Sequence, residues 1–82
     1  MTTLTLYTKP GCSLCESAAD ALERVRARAP FTLDIIDVGG DRDLLARYGQ
    51  RVPVVLLDGE PIFEYFVDED ALEHMLTQGA AT

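Results

Sequence analysis

The 82-residue sequence predicts an α/β domain, a four-stranded mixed sheet flanked by three helices in the order βαβαββα. Three observations carry this expectation. Apolar spacing alternates along the chain between the period of a strand and the period of a helix. Both cysteines, Cys12 and Cys15, fall at the first such change, directly after Pro10-Gly11. Farther on, Asp58-Gly59 separates two strand-like runs by the two residues of a tight hairpin.

Taken in order, Leu4, Thr5, Leu6, Tyr7 and Thr8 are strand formers. Pro10-Gly11 breaks that strand, and a helix is predicted from Cys12 or Ser13 to about Arg28, with Leu14, Ala18, Leu22 and Val25 on its apolar stripe. Pro30 ends it. Phe31 to Val38 reads as a second strand, bounded by Gly39-Gly40, and two parallel strands joined by a helix form a right-handed crossover. Asp41 is the predicted N-cap of a short helix, Arg42 to Tyr48, that stops at Gly49. The apolar run Val52-Pro53-Val54-Val55-Leu56-Leu57 suits a buried strand, and Pro61 to Phe66 pairs back on it. Pro61 lacks an amide donor, which places this fourth strand at a sheet edge. Asp68 reads as the N-cap of the last helix, with Val67 and Leu72 as its hydrophobic staple. Ala71, Leu72, Met75 and Leu76 form the buried stripe of that helix, and Gly79 begins a small-residue tail expected to fray.

The totals narrow the function. Eighty-two residues provide for one domain with a modest core. Fourteen acidic residues against seven basic ones give a net charge of -7, which argues against a nucleic-acid partner. The one basic cluster, Arg24-Val25-Arg26-Ala27-Arg28, is explained by cations favoured near a helix C-terminus. No apolar run approaches membrane-spanning length and Met1-Thr2-Thr3 leads straight into a strand, so the expected location is the cytoplasm, with no membrane partner. Two cysteines in such a chain are more often catalytic or metal-binding than structural.

The spacing of Cys12 and Cys15 has a chemical rationale. Cys12 falls at the helix start, where unpaired N–H groups and the helix dipole favour a thiolate. Cys15, three residues on, shares its helical face and can close a disulfide. One thiol attacks and the other resolves. The competing readings are a pair of inert thiols or a structural disulfide. A zinc site needs four ligands, and His74, late in the last helix beside Met75, is the remaining strong donor besides acidic side chains; it reads as a surface histidine.

Together these residues resemble a glutaredoxin, within the thioredoxin fold. The resemblance rests on Lys9-Pro10-Gly11-Cys12-Ser13-Leu14-Cys15, the Val52-Pro53 step, the Asp58-Gly59 hairpin and the compact length, and it extends over nearly the whole chain. It is similar, more narrowly, to small bacterial glutaredoxin-like proteins. The resemblance implies that the third strand runs antiparallel to the first, so Val52-Pro53 lies beside the C-x-x-C and its peptide is cis. The backbone groups before that proline are then open to an extended thiol-bearing substrate. Four segments would converge at this edge: Lys9 to Cys15, Arg51-Val52-Pro53, Tyr65-Phe66 and Asp68-Glu69-Asp70. Cys12 and Cys15 are the implied catalytic residues; Lys9, Arg51, Val52, Pro53 and Asp68 are the substrate-binding candidates. Lys9 and Arg51 are the cations nearest the site, suited to lowering the Cys12 pKa and attracting a carboxylate, or else solvated loop residues.

Two departures from the family pattern stand out. Ser13-Leu14 replaces the usual Pro-Tyr between the cysteines, and Tyr65-Phe66-Val67-Asp68-Glu69-Asp70 stands where glutaredoxins carry a glycine pair that holds glutathione. Bulky side chains and three carboxylates there predict weak glutathione binding. The expected function is a monomeric dithiol oxidoreductase that reduces disulfides in proteins, or mixed disulfides with small thiols. It would bind no metal or organic cofactor, and its electron donor would be glutathione or a protein reductant. The alternative is a thioredoxin-fold binding module whose disulfide senses redox state without turnover.

Overall fold

The short alternation at the start of the chain sets the centre of the sheet. In β1 (Thr3–Thr8) Leu4 and Leu6 are buried on one face, while Thr5 and Tyr7 turn to the other. The computed structural model describes residues 2–80. Its remaining elements are α1 (Ser13–Arg28), β2 (Thr32–Asp37), a 3-10 turn at Val38–Gly40, α2 (Arg42–Tyr48), β3 (Val54–Leu57), β4 (Glu60–Glu64) and α3 (Glu69–Ala80). The strand order is β2-β1-β3-β4. β1 runs parallel to β2 and antiparallel to β3, and β4 returns antiparallel to β3. This is the thioredoxin fold, with the βαβαββα order that the sequence predicts.

The core lies between the sheet and the pair α1 and α3. Leu4, Leu6 and Val55 from the strands meet Ala18, Leu22 and Val25 from α1, Leu72 and Leu76 from α3, and Phe31. Burying each large aliphatic side chain contributes about 1.5–3 kcal/mol, so this cluster dominates the stability of a small domain. A second, smaller cluster joins Cys15, Val38 and Val52, with Tyr7, Cys12, Leu44 and Tyr48 against it. The Tyr7 and Tyr48 rings pack tilted with centroids 4.8 Å apart, which fixes α2 to β1.

Several boundaries differ from the sequence-based expectation, each for a local reason. Leu14 is 38% exposed, and Cys15 takes its place on the buried stripe, since positions 15, 18, 22 and 25 share one face at helical spacing. β3 starts at Val54, since Val52-Pro53 forms a cis step ahead of it. β4 is indeed an edge strand, and a bulge at Ile62 shifts its register: Val55 faces Phe63, whereas Leu56 faces Pro61. It stops at Glu64, because Tyr65 adopts a left-handed backbone with φ of 67°. The Asp58-Gly59 turn has positive φ at both residues, and Asp58 also accepts from the Thr3 amide at 3.1 Å. Gly79 does not begin a tail: α3, packed through Leu72 and Leu76, propagates through it to Ala80. Ala81 and Thr82 lie outside the described residues.

Candidate active site

The C-x-x-C is presented by a turn that only glycine makes without strain. Gly11 has φ of 76°, which swings the chain from the end of β1 into α1. Cys12 then serves as the N-cap of α1, in extended conformation. Caps are usually Ser, Thr, Asp or Asn because a side-chain acceptor must reach an amide of the first turn. Here the Cys12 Sγ does so, accepting from the Cys15 N–H at 3.2 Å. The two sulfurs are paired as a disulfide, with the Cα atoms 5.2 Å apart. The cysteines are not equivalent: Cys12 is half-buried, whereas Cys15 is 3% exposed and packed on Val38 and Val52. A hollow of about 210 Å³ is lined by both cysteines together with Lys9, Pro10, Glu16, Ala19 and Ile35.

Pairing of Tyr7 with Val54 brings Val52-Pro53 beside the end of β1, and the peptide between them is cis. Both residues are buried. The Val52 N–H donates to the Tyr48 carbonyl at 3.0 Å, and the Pro53 carbonyl accepts from the Tyr65 N–H at 2.8 Å. The amide before the proline is therefore already engaged within the protein.

The charged candidates fall into different roles. Lys9 Nζ donates to the Gly49 carbonyl at 2.8 Å, at the C-terminal end of α2, so its charge ties the C-x-x-C loop to that helix. Arg51 lies 3.7 Å from Glu64, both half-exposed. Asp68 caps α3, its Oδ1 accepting from the Ala71 N–H at 3.1 Å. Glu69 turns away along α1: Arg24 grips it through contacts of 2.9 and 3.2 Å, and Arg28 lies 3.5 Å from it. The hydrogen bond from Arg24 holds the Glu69 carboxyl below the usual glutamate range and raises the guanidinium above its own. The Arg24 to Arg28 cluster thus does more than complement a helix dipole, since it clamps α1 to α3. Two of the three carboxylates at the start of α3 are committed to the fold, which weakens the electrostatic reason for expecting poor glutathione binding. His74 is exposed on α3.

The family described as Glutaredoxin-like domain (DUF836) matches residues 3–77. The chain belongs to this family. Among the relatives of this glutaredoxin-like chain is a glutaredoxin-like protein of Dictyostelium discoideum, 34% identical over 85% of this chain and 70% of its own. The solution structure of protein Ne2328 from Nitrosomonas europaea is similar with a TM-score of 0.80 at 30% identity, covering 92% of this chain and 91% of that one. A mutant thioredoxin from Halobacterium salinarum superposes with a TM-score of 0.68 at 28% identity, covering 94% of this chain and 73% of the other. With the Cys12–Cys15 pair bridged at the fold's helix start, these likenesses support a redox-type function for this glutaredoxin-like domain. Among the described residues no helix is long and apolar enough to cross a membrane.

Sequence reasoning did not foresee the arrangement around Tyr65. Its hydroxyl donates to the Gln50 carbonyl at 3.3 Å, so the side chain reaches from the end of β4 to the loop before Arg51. Beside it Phe66 is 72% exposed, and Leu14 borders the same shallow hollow. A bulky residue where the family pattern has glycine was the available signal, but its contact partner lies 15 positions away.

Proposed function

We propose that the protein is a thiol–disulfide oxidoreductase in which Cys12 attacks and Cys15 resolves. The observation that carries this reading is the Cys12 Sγ at the N-terminus of α1, receiving the Cys15 N–H, while Cys15 is buried beneath it. A thiolate at Cys12 gains both that hydrogen bond and the favourable end of the helix dipole. In the reduced protein, the Cys12 thiolate attacks one sulfur of a substrate disulfide, forming a mixed disulfide and expelling the first substrate thiolate. The Cys15 thiolate then attacks the Cys12 sulfur. The Cys12–Cys15 disulfide forms, and the second substrate thiolate leaves. Two electrons and two protons pass to the substrate overall, and a thiol donor, glutathione or a protein dithiol, returns them. The cycle uses no metal or organic cofactor, and its substrates are protein disulfides or mixed disulfides.

The test separates the two thiols. Cys12→Ser should abolish reduction of a disulfide substrate, and Cys15→Ser should accumulate a stable mixed disulfide through Cys12. Alkylation of the reduced protein as a function of pH should find Cys12 the faster thiol near neutrality. Faster reaction at Cys15, or turnover surviving Cys12→Ser, overturns the assignment.

A further inference from the structure

We propose that Glu16 is a specificity-determining residue: its carboxylate favours attack by Cys12 on disulfides flanked by lysine or arginine and disfavours those flanked by acidic groups. This rests on the reading of Cys12 as the attacking thiol. Glu16 stands one helical turn after Cys12, and its N–H donates to the Cys12 carbonyl at 3.3 Å. Residues four apart are neighbours on a helix surface, so positions 12 and 16 lie on one side of the first turn of α1. The hollow of about 210 Å³ agrees with this, since Cys12, Cys15 and Glu16 all line it.

The charges around the cysteines leave Glu16 uncompensated. Lys9 and Glu16 are the charged residues that line the hollow. The Lys9 Nζ is drawn to the Gly49 carbonyl, 2.8 Å away at the end of α2. Glu16 is exposed and has no ion-pair partner among the described residues. The other ionisable side chains near the turn are engaged elsewhere. Tyr7 and Tyr48 pack ring to ring, Arg51 lies 3.7 Å from Glu64, and the Asp37 carboxylate accepts from the Gly39 N–H at 2.8 Å.

An exposed charge acts on whatever comes within a Debye length, about 10 Å at moderate salt. The Cys12 thiolate is itself an anion, and Glu16 adds to a field that attracts cationic reactants and repels anionic ones. Glutamate in the first turn also complements the helix dipole. That role alone would alter stability without sorting substrates by charge.

The experiment follows oxidation of the reduced protein by excess cystamine, 2-hydroxyethyl disulfide or dithiodipropionate, which are a dication, a neutral molecule and a dianion. In each case the Cys12 thiolate attacks one sulfur and expels a thiolate; Cys15 then closes the Cys12–Cys15 disulfide and expels the second. The readout is the ratio of the cystamine rate to the dithiodipropionate rate, each taken relative to the neutral compound, so a general change in thiol reactivity cancels. At low salt Glu16→Gln should lower that ratio roughly threefold, and Glu16→Lys on the order of tenfold. Glu16→Asp should keep the wild-type ratio. Glu23→Gln makes the same change in net charge two turns farther along α1, about 10 Å away, and should leave the ratio unchanged. Added salt should erase the difference between the wild type and Glu16→Gln. An unchanged ratio in both Glu16→Gln and Glu16→Lys, or an equal effect from Glu23→Gln, overturns the proposal. Alkylation of Cys12 by iodoacetamide and by iodoacetate, neutral and anionic, repeats the comparison without disulfide chemistry. If none of the proteins reduces any disulfide, the oxidoreductase reading fails, and the alkylation ratio still decides the role of Glu16.

Discussion

At the residue scale, the site depends on side chains that serve the backbone around it. The sequence leaves Lys9 as either a cation for the thiol or a solvated loop residue, and its Nζ is bonded to the Gly49 carbonyl where α2 ends. Lys9→Met should therefore lower stability by about 1 kcal/mol in denaturant unfolding, the net worth of one such hydrogen bond. An unchanged midpoint would show that the bond contributes nothing. Gly49 is needed for space, not for a left-handed cap: its φ is -55°, and a Cβ there would meet the Leu45 carbonyl oxygen at 2.5 Å. Gly49→Ala must displace backbone, with a cost of about 1–3 kcal/mol as in other overpacked sites, and should loosen the Lys9 tether with it. A melt matching the wild type would refute that steric account.

The element scale explains how α3 finds its place. Asp68 caps it and Val67 packs on the core beside Leu72, so its start is specified locally. Asp68→Ala should cost about 1 kcal/mol, the usual loss of a helix cap. Its orientation against α1 is set by Glu69 between Arg24 and Arg28, with Glu73 at 3.4 Å from Arg28. Because the Glu69 carboxyl titrates lower in the folded protein than in the unfolded chain, its contribution is fully present above the ordinary glutamate range. It is lost as the pH falls through the depressed folded value. The stability difference between the wild type and Glu69→Gln should accordingly shrink on acidification, and shrink again with added salt since the pair is solvent-accessible. A difference independent of both pH and salt would rule out the ion-pair clamp.

For the whole molecule, the division between a large and a small cluster predicts where damage is tolerated. Leu22 is fully buried in the main core, whereas Leu14, on the same helix, is 38% exposed beside the C-x-x-C. Leu22→Ala should cost about 2–5 kcal/mol, a large part of the roughly 5–15 kcal/mol expected for a domain. Leu14→Ala should change stability by less than about 0.5 kcal/mol. Guanidinium unfolding of the two variants decides this, and comparable losses would mean that the first turn of α1 is packed in solution. The smaller cluster under Cys15 has no such reserve, so Val52→Ala should disturb the cysteine turn before it unfolds the domain.

What the sequence determined by itself was the order of elements and the signals that are local. The alternation in β1, the C-x-x-C after Pro10-Gly11, the Asp41 and Asp68 caps and the Asp58-Gly59 hairpin are each decided within a few residues. Even the pairing of Tyr7 with Val54, which carries Val52-Pro53 to the site, follows once the family resemblance supplies the fold. Tertiary structure decided which side chains were already occupied. Lys9 reaches across 40 positions to Gly49, Arg24 across 45 to Glu69, and Tyr65 across 15 to Gln50. Periodicity and propensity carry no information about such contacts, because a long polar side chain obeys no local spacing and takes whichever partner the packed elements bring within reach.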